Sequence, residues 1–458
     1  MNLTSLFPNT ISRTLIILAL IGTLASCNNQ KTTSTDSDTT SAPAVKTDTT
    51  NKVQDFSLTL PVLNALFIEE AFKMQLKSEL QLTDKQIEQL ETAAGEAVSE
   101  LSDDGTNYLG SARAARKQSE DEIRRILGQE KAESLARLVA YRYAGGDIEG
   151  LFPTTPNAIP TDTRVVINAP AFRMDVFQEG KLVKSYKIGI GYPEFPLPTG
   201  MRKAESIIFN PTWTPPDEPW VKGKFQPGRK VAAGSKLNPL GLIKIPIGSP
   251  SLIHGGKDKE KLGNFASHGC VGLTNEQVQD FTSVLVQLAG SSITAEQIQN
   301  YESKPKTTKT VTLAKPVPVE LRYETIVAEN GNIHIYQDVY ERGTNTVVDA
   351  VRILKVYGVE YSALSSAEKT SLSTALTEMN LDSQGNPIAE QSSSTDTTAV
   401  ANSGTTAKSK DGVAASKKQG AKTGKVTRTV TGQKEMIIPI AALKGKGYPA
   451  PVMLNEGE

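Results

Sequence analysis

Histidine and cysteine are scarce in this chain of 458 residues, which contains three histidines and two cysteines. Two cysteines exclude a disulfide framework as the main source of stability. Lys and Arg number 50 together, as do Asp and Glu, so no overall positive field indicates a nucleic-acid partner. The hydrophobic fraction of 38% lies below that of typical globular domains, so part of the chain is expected to stay unpacked.

Long apolar runs are also missing, apart from one near the N-terminus. Residues 14–24 form an apolar stretch behind Arg13, and this stretch is too short to span a bilayer, which takes roughly twenty apolar residues. The pattern predicts a secretory signal peptide over 1–26. It ends in Leu-Ala-Ser-Cys27, which resembles a bacterial lipobox.

The lipobox resemblance implies that Cys27 is lipidated and anchors the chain to the membrane of the cell envelope, facing the periplasm. If the source is Gram-negative, Asn28 favours the outer membrane over the inner one. The alternative is an ordinary signal peptide followed by an incidental cysteine. Residues 27–56 have almost no large apolar side chain, which predicts a flexible tether.

From residue 57 to residue 146 the apolar side chains recur at helical spacing, which predicts a small helical domain. Thr83 and Gln86 predict a capping box, and their surroundings resemble the LTxxQ-motif helical proteins of the bacterial periplasm. A generic helical module is the alternative. One buried stripe is predicted from Leu60, Leu63, Phe67, Ala71 and Met74, with further helices over 111–127 and 131–143. Prolines mark a linker over 147–162.

After the linker the period changes to two, which predicts strands. The predicted strands include Arg164–Asn168, a hairpin that turns at Glu179-Gly180, and short segments near 206–210 and 242–245. Many Gly and Pro turns and hardly any helix predict a mainly β domain of the β-sandwich type over 163–360. A proline-rich loop over 216–236 is a candidate lid.

Two of the three histidines and one of the two cysteines lie close together in this domain, in Ile253-His254-Gly255 and Ser267-His268-Gly269-Cys270. A nucleophilic thiol needs a base, backbone N–H groups that can face an oxyanion, and small residues that let a substrate approach. The pattern therefore predicts that Cys270 is a nucleophile. One alternative is a buried structural cysteine beside unrelated histidines. Another is a zinc site formed by His254, His268 and Cys270.

The order of these motifs resembles that of the YkuD-type L,D-transpeptidases. The resemblance covers roughly 163–288 and includes Pro198-Thr-Gly200, Asn238-Pro-Leu-Gly241, His254-Gly255 and Ser267-His-Gly-Cys-Val271. It implies a cysteine acyltransferase that works without a cofactor. The implied donor is a peptidoglycan tetrapeptide stem, which forms a thioester before transfer to an amine, and carbapenem-type inhibitors are expected to acylate Cys270.

The same resemblance implies roles for individual residues. His254 would be the base, with its ring oriented by the carbonyl of Gly255. The N–H groups of Gly269 and Cys270, with His268, would form the oxyanion hole. Ser267 would either shape this turn or contact the substrate, and Gly272 would lie toward the substrate. Gly272 departs from the family, which often has arginine two residues after the cysteine.

The C-terminal part is less regular. Residues 297–315 predict a polar connection, and strands are predicted up to about Val356, with a hairpin turn at Asn330-Gly331. A short helix is predicted over 361–382, a disordered basic tail over 383–435 and a docking segment over 436–458.

Three functions compete at this stage. The first is peptidoglycan cross-linking by an L,D-transpeptidase. The second uses the same cysteine chemistry to attach an outer-membrane protein to the wall or to release it by hydrolysis. The third is a non-catalytic envelope-binding or stress module. Cys270 and His254 do not separate the first two, because water and amines compete for one acyl-enzyme.

Overall fold

The computed structural model describes residues 58–101, 111–143, 155–221, 223–388 and 428–452. The predicted signal peptide (1–26), Cys27 and the predicted tether (27–56) lie outside these residues, as do parts of the predicted linker and basic tail. Within the described part of the chain, no helix has both the length and the apolar character to cross a bilayer.

The N-terminal described part is helical, as predicted. Its helices are α1 (Leu60–Phe67), α2 (Glu70–Ser78), α3 (Asp84–Ser99), α4 (Ala112–Leu127) and α5 (Gln129–Tyr143). The capping box between Thr83 and Gln86 is present at the start of α3. These helices share one apolar core, whose fully buried members include Leu63, Leu90 and Leu135.

The prediction of a single buried stripe is wrong beyond Phe67. The chain leaves helical geometry at Glu69, between α1 and α2, so the helical phase is not carried across. As a result α2 buries Phe72 and Leu76 in the core and leaves Met74 63% exposed.

The next part of the chain is mainly β, as predicted. Its strands are β1 (Arg164–Asn168), β2 (Arg173–Gln178), β3 (Lys181–Lys187), β4 (Ile190–Gly191), β5 (Gly200–Phe209), β6 (Ile243–Pro246), β7 (Leu252–His254), β8 (Phe265–Ser267), β9 (Val271–Gly272) and β10 (Lys309–Arg322). Eight of them form one sheet in the order β3-β2-β1-β10-β5-β6-β7-β9, while β4 and β8 form a two-stranded sheet. The β1–β10, β7–β9 and β4–β8 pairs are parallel.

Two helices interrupt this β region, contrary to the prediction of hardly any helix and of a polar connection over 297–315. They are α6 (Asn275–Leu288) and α7 (Ala295–Glu302), and each begins at a threonine capping box. Helix α6 packs on β6 and β10 and buries Val278, Phe281 and Leu285 in the main core. The rest of the predicted polar connection belongs to β10. The first residues of β10 are exposed, which is consistent with their polar side chains.

The C-terminal part forms a second β layer with its own core. Strands β11 (Ile326–Glu329), β12 (Asn332–Tyr336) and β13 (Glu435–Pro439) make an antiparallel sheet that packs with α8 (Val347–Val356) and α9 (Ser366–Glu378). The hairpin turn at Asn330-Gly331 is present, with φ of 46° and 83°. Helix α8 contradicts the predicted strand. Its β-branched residues favour a strand locally, but Thr346 caps a helix whose buried side chains lie at 350, 353 and 354.

The predicted disorder over 383–435 is wrong at both ends of the segment. Ser383 is buried, and Val430 belongs to the main core. The backbone N–H of Gln337 donates to the Lys434 carbonyl at 3.1 Å. Composition missed this order because a few buried side chains and backbone bonds suffice to fix a polar segment on an existing surface.

The helical part is tied to the β part by buried polar contacts. The Thr59 hydroxyl donates to the Glu194 carbonyl at 2.7 Å. The Glu341 carboxylate accepts from the backbone N–H groups of Ala112 at 2.7 Å and Arg113 at 3.3 Å. Glu341 therefore caps the N-terminus of α4 from a distant part of the sequence, where a negative charge is favoured.

We expect Glu341→Ala to lower the free energy of unfolding by about 1–3 kcal/mol, because two N–H groups of α4 lose their acceptor. Urea unfolding of the full chain, followed by circular dichroism, measures the change. Glu360→Ala is the matched control, since Glu360 is exposed. Equal stabilities of the two variants would contradict the capping role.

Candidate active site

The cysteine and histidine motifs meet because β7 and β9 are parallel neighbours. Ile253 lies opposite Val271, and His254 lies opposite Gly272. Both Ile253 and Val271 are fully buried in the main core. Side chains alternate between the two faces of a strand, so His254 and the segment of Cys270 share the opposite face.

Cys270 is a free, partly buried cysteine at the turn before β9. The Ser267 hydroxyl fixes this turn, since it accepts from the Cys270 N–H at 2.9 Å and donates to the Cys270 carbonyl at 2.5 Å. Ser267 is itself buried. Its side chain therefore shapes the turn and does not face outward toward a substrate.

The Ser267 bond changes the predicted oxyanion hole. Because the Cys270 N–H is already bonded to Ser267, it is not free to receive an oxyanion in this conformation. Gly255 N–H is also used, since it donates to the Ile243 carbonyl at 3.1 Å. Of the candidates from the sequence, the N–H groups of His268 and Gly269 remain. Gly269 has a φ of 89°, which favours glycine at this position.

His254 is 3% exposed, and its Nδ1 lies 2.7 Å from the Gly255 carbonyl oxygen. A carbonyl only accepts hydrogen bonds, so Nδ1 carries the hydrogen and the basic lone pair is on Nε2. Burial, followed by the positive charge of Lys257, lowers the pKa of His254 to about 3, against backbone hydrogen bonds to Gly255 and Leu240 that raise it. The ring is thus neutral at physiological pH.

The Cys270 thiol has the opposite shift. Burial raises its pKa, while a hydrogen bond with the Leu252 backbone and the charges of Lys257 and Lys244 act in the other direction. Resting Cys270 and His254 are therefore a neutral thiol and a neutral imidazole. Such a pair transfers its proton when the thiol attacks.

His268 is held in an aromatic cage. Its ring stacks on Trp220 at a centroid distance of 3.9 Å and meets the edges of Tyr192 and Phe195 at 4.9 Å each. Its pKa lies well below the usual value because of burial, and the charges of Arg428 and Lys257 add to the shift. Trp220 belongs to the candidate lid over 216–236, so this loop packs directly on the cysteine motif.

The zinc alternative has no geometric support. In the part of the chain that the structure describes, no three His, Cys, Asp or Glu side chains converge as metal ligands would.

Gly272 lies beside a lysine that the sequence did not single out. A Cβ on Gly272 would stand 2.8 Å from Cγ of Lys257, so the lysine side chain fills the space next to this glycine. Lys244 in β6 lies opposite His254, and its positive charge lowers the pKa of Cys270. Sequence reasoning missed both lysines because neither belongs to the His-Gly or Ser-His-Gly-Cys motif.

Asn275 and Tyr143 were missed as well. The Asn275 side-chain oxygen accepts from the N–H groups of Leu242 at 3.1 Å and Gly256 at 3.0 Å, which holds the His254 loop against the start of α6. Tyr143, the last residue of α5, packs against Gly248 and lies under the Arg202 guanidinium at 3.7 Å. Burial raises the pKa of Tyr143 to about 12, and a small further rise comes from Cys270. The helical part therefore reaches the vicinity of the thiol.

Comparison with known proteins finds a family whose model matches this part of the chain. Residues 162–310 match the family model of YkuD, described as an L,D-transpeptidase catalytic domain. These residues are called the YkuD domain below, after the family model that they match. The resemblance inferred from the motifs is confirmed, and the match extends past the predicted limit near 288 into β10.

Relatives of the YkuD domain cover only part of the chain. The probable L,D-transpeptidase YbiS of Escherichia coli is 32% identical over 119 residues, which are 25% of this chain and 39% of that protein. The putative L,D-transpeptidase YqjB of Bacillus subtilis is 24% identical over 137 residues, 29% of this chain and 70% of that protein. The chain thus spans about two fifths of the first of these relatives.

Solved structures similar to the YkuD domain include the catalytic domain of the E. faecium L,D-transpeptidase. That domain is 15% identical with a TM-score of 0.24, and the match covers 36% of this chain and all of that one. L,D-transpeptidase 3 from Mycobacterium tuberculosis, with a faropenem-derived adduct, is 15% identical with a TM-score of 0.21, over 35% of this chain and 60% of that one. These scores are low, so the assignment rests on the family model.

The pKa shifts predict how the Cys270 thiol titrates. Because the pKa of Cys270 is raised and that of His254 is lowered, the thiolate fraction should increase with pH from about pH 6 to pH 9, with a slope near one in log rate. The rate of iodoacetamide alkylation, followed on the Cys270 peptide by mass spectrometry, measures this. A plateau of the rate near neutral pH would reveal a preformed thiolate–imidazolium pair and contradict the assignment.

Proposed function

We propose that this chain is a peptidoglycan L,D-transpeptidase that acts through Cys270. The observation that carries the proposal is the β7–β9 pairing, which brings Cys270 to the same face as a buried, neutral His254 whose Nδ1 is held by Gly255. The YkuD match over 162–310 supports the reaction class. Because the known relatives overlap only part of the chain, the substrate and acceptor belong to the proposal.

The first half-reaction forms an acyl-enzyme. His254 Nε2 takes the proton of the thiol while Cys270 Sγ attacks the carbonyl carbon that precedes the terminal D-alanine of a tetrapeptide stem. The negative charge that develops on the carbonyl oxygen is received by the N–H groups of His268 and Gly269. The C–N bond then breaks, and the imidazolium gives its proton to the leaving D-alanine amine. A thioester remains on Cys270.

The second half-reaction selects the function. An amine of another stem attacks the thioester, loses a proton to His254 and yields a cross-link, while the thiol is regenerated. Attack by a protein amine would attach that protein to the wall, and attack by water would release a stem or a linked protein. Cross-linking is the function we favour, because the domain matched is described as a transpeptidase catalytic domain.

The same thiol is the expected target of carbapenem-type inhibitors. A similar solved structure, that of Ldtfm, is an avibactam carbamoyl enzyme, and L,D-transpeptidase 3 from M. tuberculosis carries a faropenem-derived adduct. A carbapenem carbonyl would meet Cys270 as a stem carbonyl does. The adduct should therefore map to the Cys270 peptide and be absent from Cys270→Ala.

Stem peptides test the reaction directly. The full chain is incubated with tetrapeptide-containing muropeptides, and the products are identified by mass spectrometry. Cys270→Ala should give no product, and His254→Gln should lower the rate on the order of 10²- to 10⁴-fold because the base is lost. His334→Gln is the control, since His334 lies in β12, where it is bonded to Glu435.

The product identifies the acceptor. Cross-linked dimers support the transpeptidase, and tripeptides alone support the hydrolytic alternative. No turnover by the wild-type chain would contradict both and favour the non-catalytic envelope module.

Lipid attachment at Cys27 is part of the proposed function, since it would hold the YkuD domain near the wall. It rests on the lipobox sequence alone. We expect the chain, expressed in a bacterial host with an alkyne-labelled fatty acid, to incorporate the label and to fractionate with the envelope. Cys27→Ala should lose the label, while Cys270→Ala should keep it. Labelling of Cys27→Ala would refute the anchor.

A further inference from the structure

Gly272 is a glycine for reasons of space and not of backbone conformation. It lies in β9 and does not have the positive φ that favours glycine. A Cβ at this position would stand 2.8 Å from Cγ, 3.1 Å from Cε and 3.4 Å from Cδ of Lys257. The aliphatic stem of Lys257 therefore fills the space that a side chain at position 272 would occupy.

Lys257 is fixed where it enters the site. Its backbone N–H donates to the Leu273 carbonyl at 3.0 Å, directly after β9, and Leu273 N–H donates to the His254 carbonyl at 2.9 Å. The backbone of Lys257 is thus held through Leu273, which is itself bonded to His254. Its side chain is partly buried, and none of the ion pairs among the described residues includes it.

The ammonium of Lys257 acts on three titratable groups of the site. It lowers the pKa of Cys270, of His254 and of His268. Burial lowers the pKa of Lys257 itself to about 8, against a rise from Cys270, with smaller effects of Lys261 and Asp258. The lysine is mostly charged at neutral pH and loses its charge over a range centred near pH 8.

A partly buried cation beside the reacting thiol, in no ion pair with any residue that the structure describes, is suited to bind an anion of the substrate. In the proposed reaction the donor supplies one at the right place. The carboxylate of the terminal D-alanine belongs to the leaving group, one residue beyond the carbonyl that Cys270 attacks.

We propose that Lys257, which lies along Gly272, binds the terminal carboxylate of the acyl donor next to Cys270. The inference rests on the proposed function for the identity of the donor, but the positive site itself is independent of turnover. Lys244, which lies opposite His254 in the sheet, also lowers the pKa of Cys270, and its contribution is an outcome of the test.

Two alkylating reagents of the same size test the cation without any turnover. Iodoacetate carries a carboxylate and iodoacetamide does not, so the ratio of their rates on the Cys270 peptide of the full chain reports a nearby positive charge. The ratio cancels changes in thiolate fraction. We expect Lys257→Met to lower it by about five- to tenfold. Raising the pH above about 8 should lower the ratio of the wild-type chain as Lys257 loses its proton.

Lys259→Met is the matched control, because Lys259 is an exposed lysine of the same loop. Its ratio should equal that of the wild type. An unchanged ratio in Lys257→Met overturns the proposal. A drop that appears in Lys244→Met and not in Lys257→Met overturns it as well.

Two variants, one that removes the lysine and one that also places a cation at position 272, test binding of the donor. Lys257→Ala should raise KM for a tetrapeptide donor with a free carboxylate by roughly tenfold and leave the KM for the C-terminal amide unchanged. Lys257→Ala/Gly272→Arg brings a cation back into the vacated space and should restore most of the preference for the carboxylate. A loss that is equal for both donors would indicate a structural role and refute the proposal. Absence of turnover by the wild-type chain would instead refute the proposed function, while the alkylation ratio would still decide the cation.

Discussion

The parallel pairing of β7 with β9 is the interaction on which the site depends. It sets His254 opposite Gly272 and the Cys270 turn beside Leu252, although the two motifs are separated by a loop and by β8. The buried partners Ile253 and Val271 fix the register, because a slip of either strand by one residue would turn its hydrophobic side chain out of the core. The geometry of the candidate site is thus maintained by the same apolar contacts that maintain the core.

Electrostatics then decides the resting state. His254 and Cys270 are both held in their neutral forms by burial, although Lys257 and Lys244 favour the thiolate. A neutral pair is compatible with a thiol that becomes nucleophilic only when a substrate displaces water and accepts the developing charge. Lys257 and Lys244 add positive potential near Cys270. Among the described residues, no carboxylate forms an ion pair with Lys257.

The parts outside the YkuD domain are joined to it more closely than their sequences indicate. Helix α5 ends with Tyr143 against Gly248, and Glu341 caps α4 from beyond β12. The C-terminal segment returns to the site, where the Arg428 guanidinium lies 4.5 Å from the centre of the Tyr192 ring. Both flanking regions therefore support the loops around His268 and Cys270.

Sequence alone determined the features that are encoded locally. The helical and β periods, the Thr83 capping box, the Asn330-Gly331 turn and the candidate nucleophile and base are written in neighbouring residues, so pattern and spacing predict them. Three features were decided only by the tertiary structure. The Cys270 N–H donates its hydrogen bond to Ser267, residues 428–435 pack on the folded part, and Lys257 fills the space beside Gly272. These features depend on contacts between segments that are far apart in the sequence. The type of one residue does not indicate which distant residue will contact it in the folded chain.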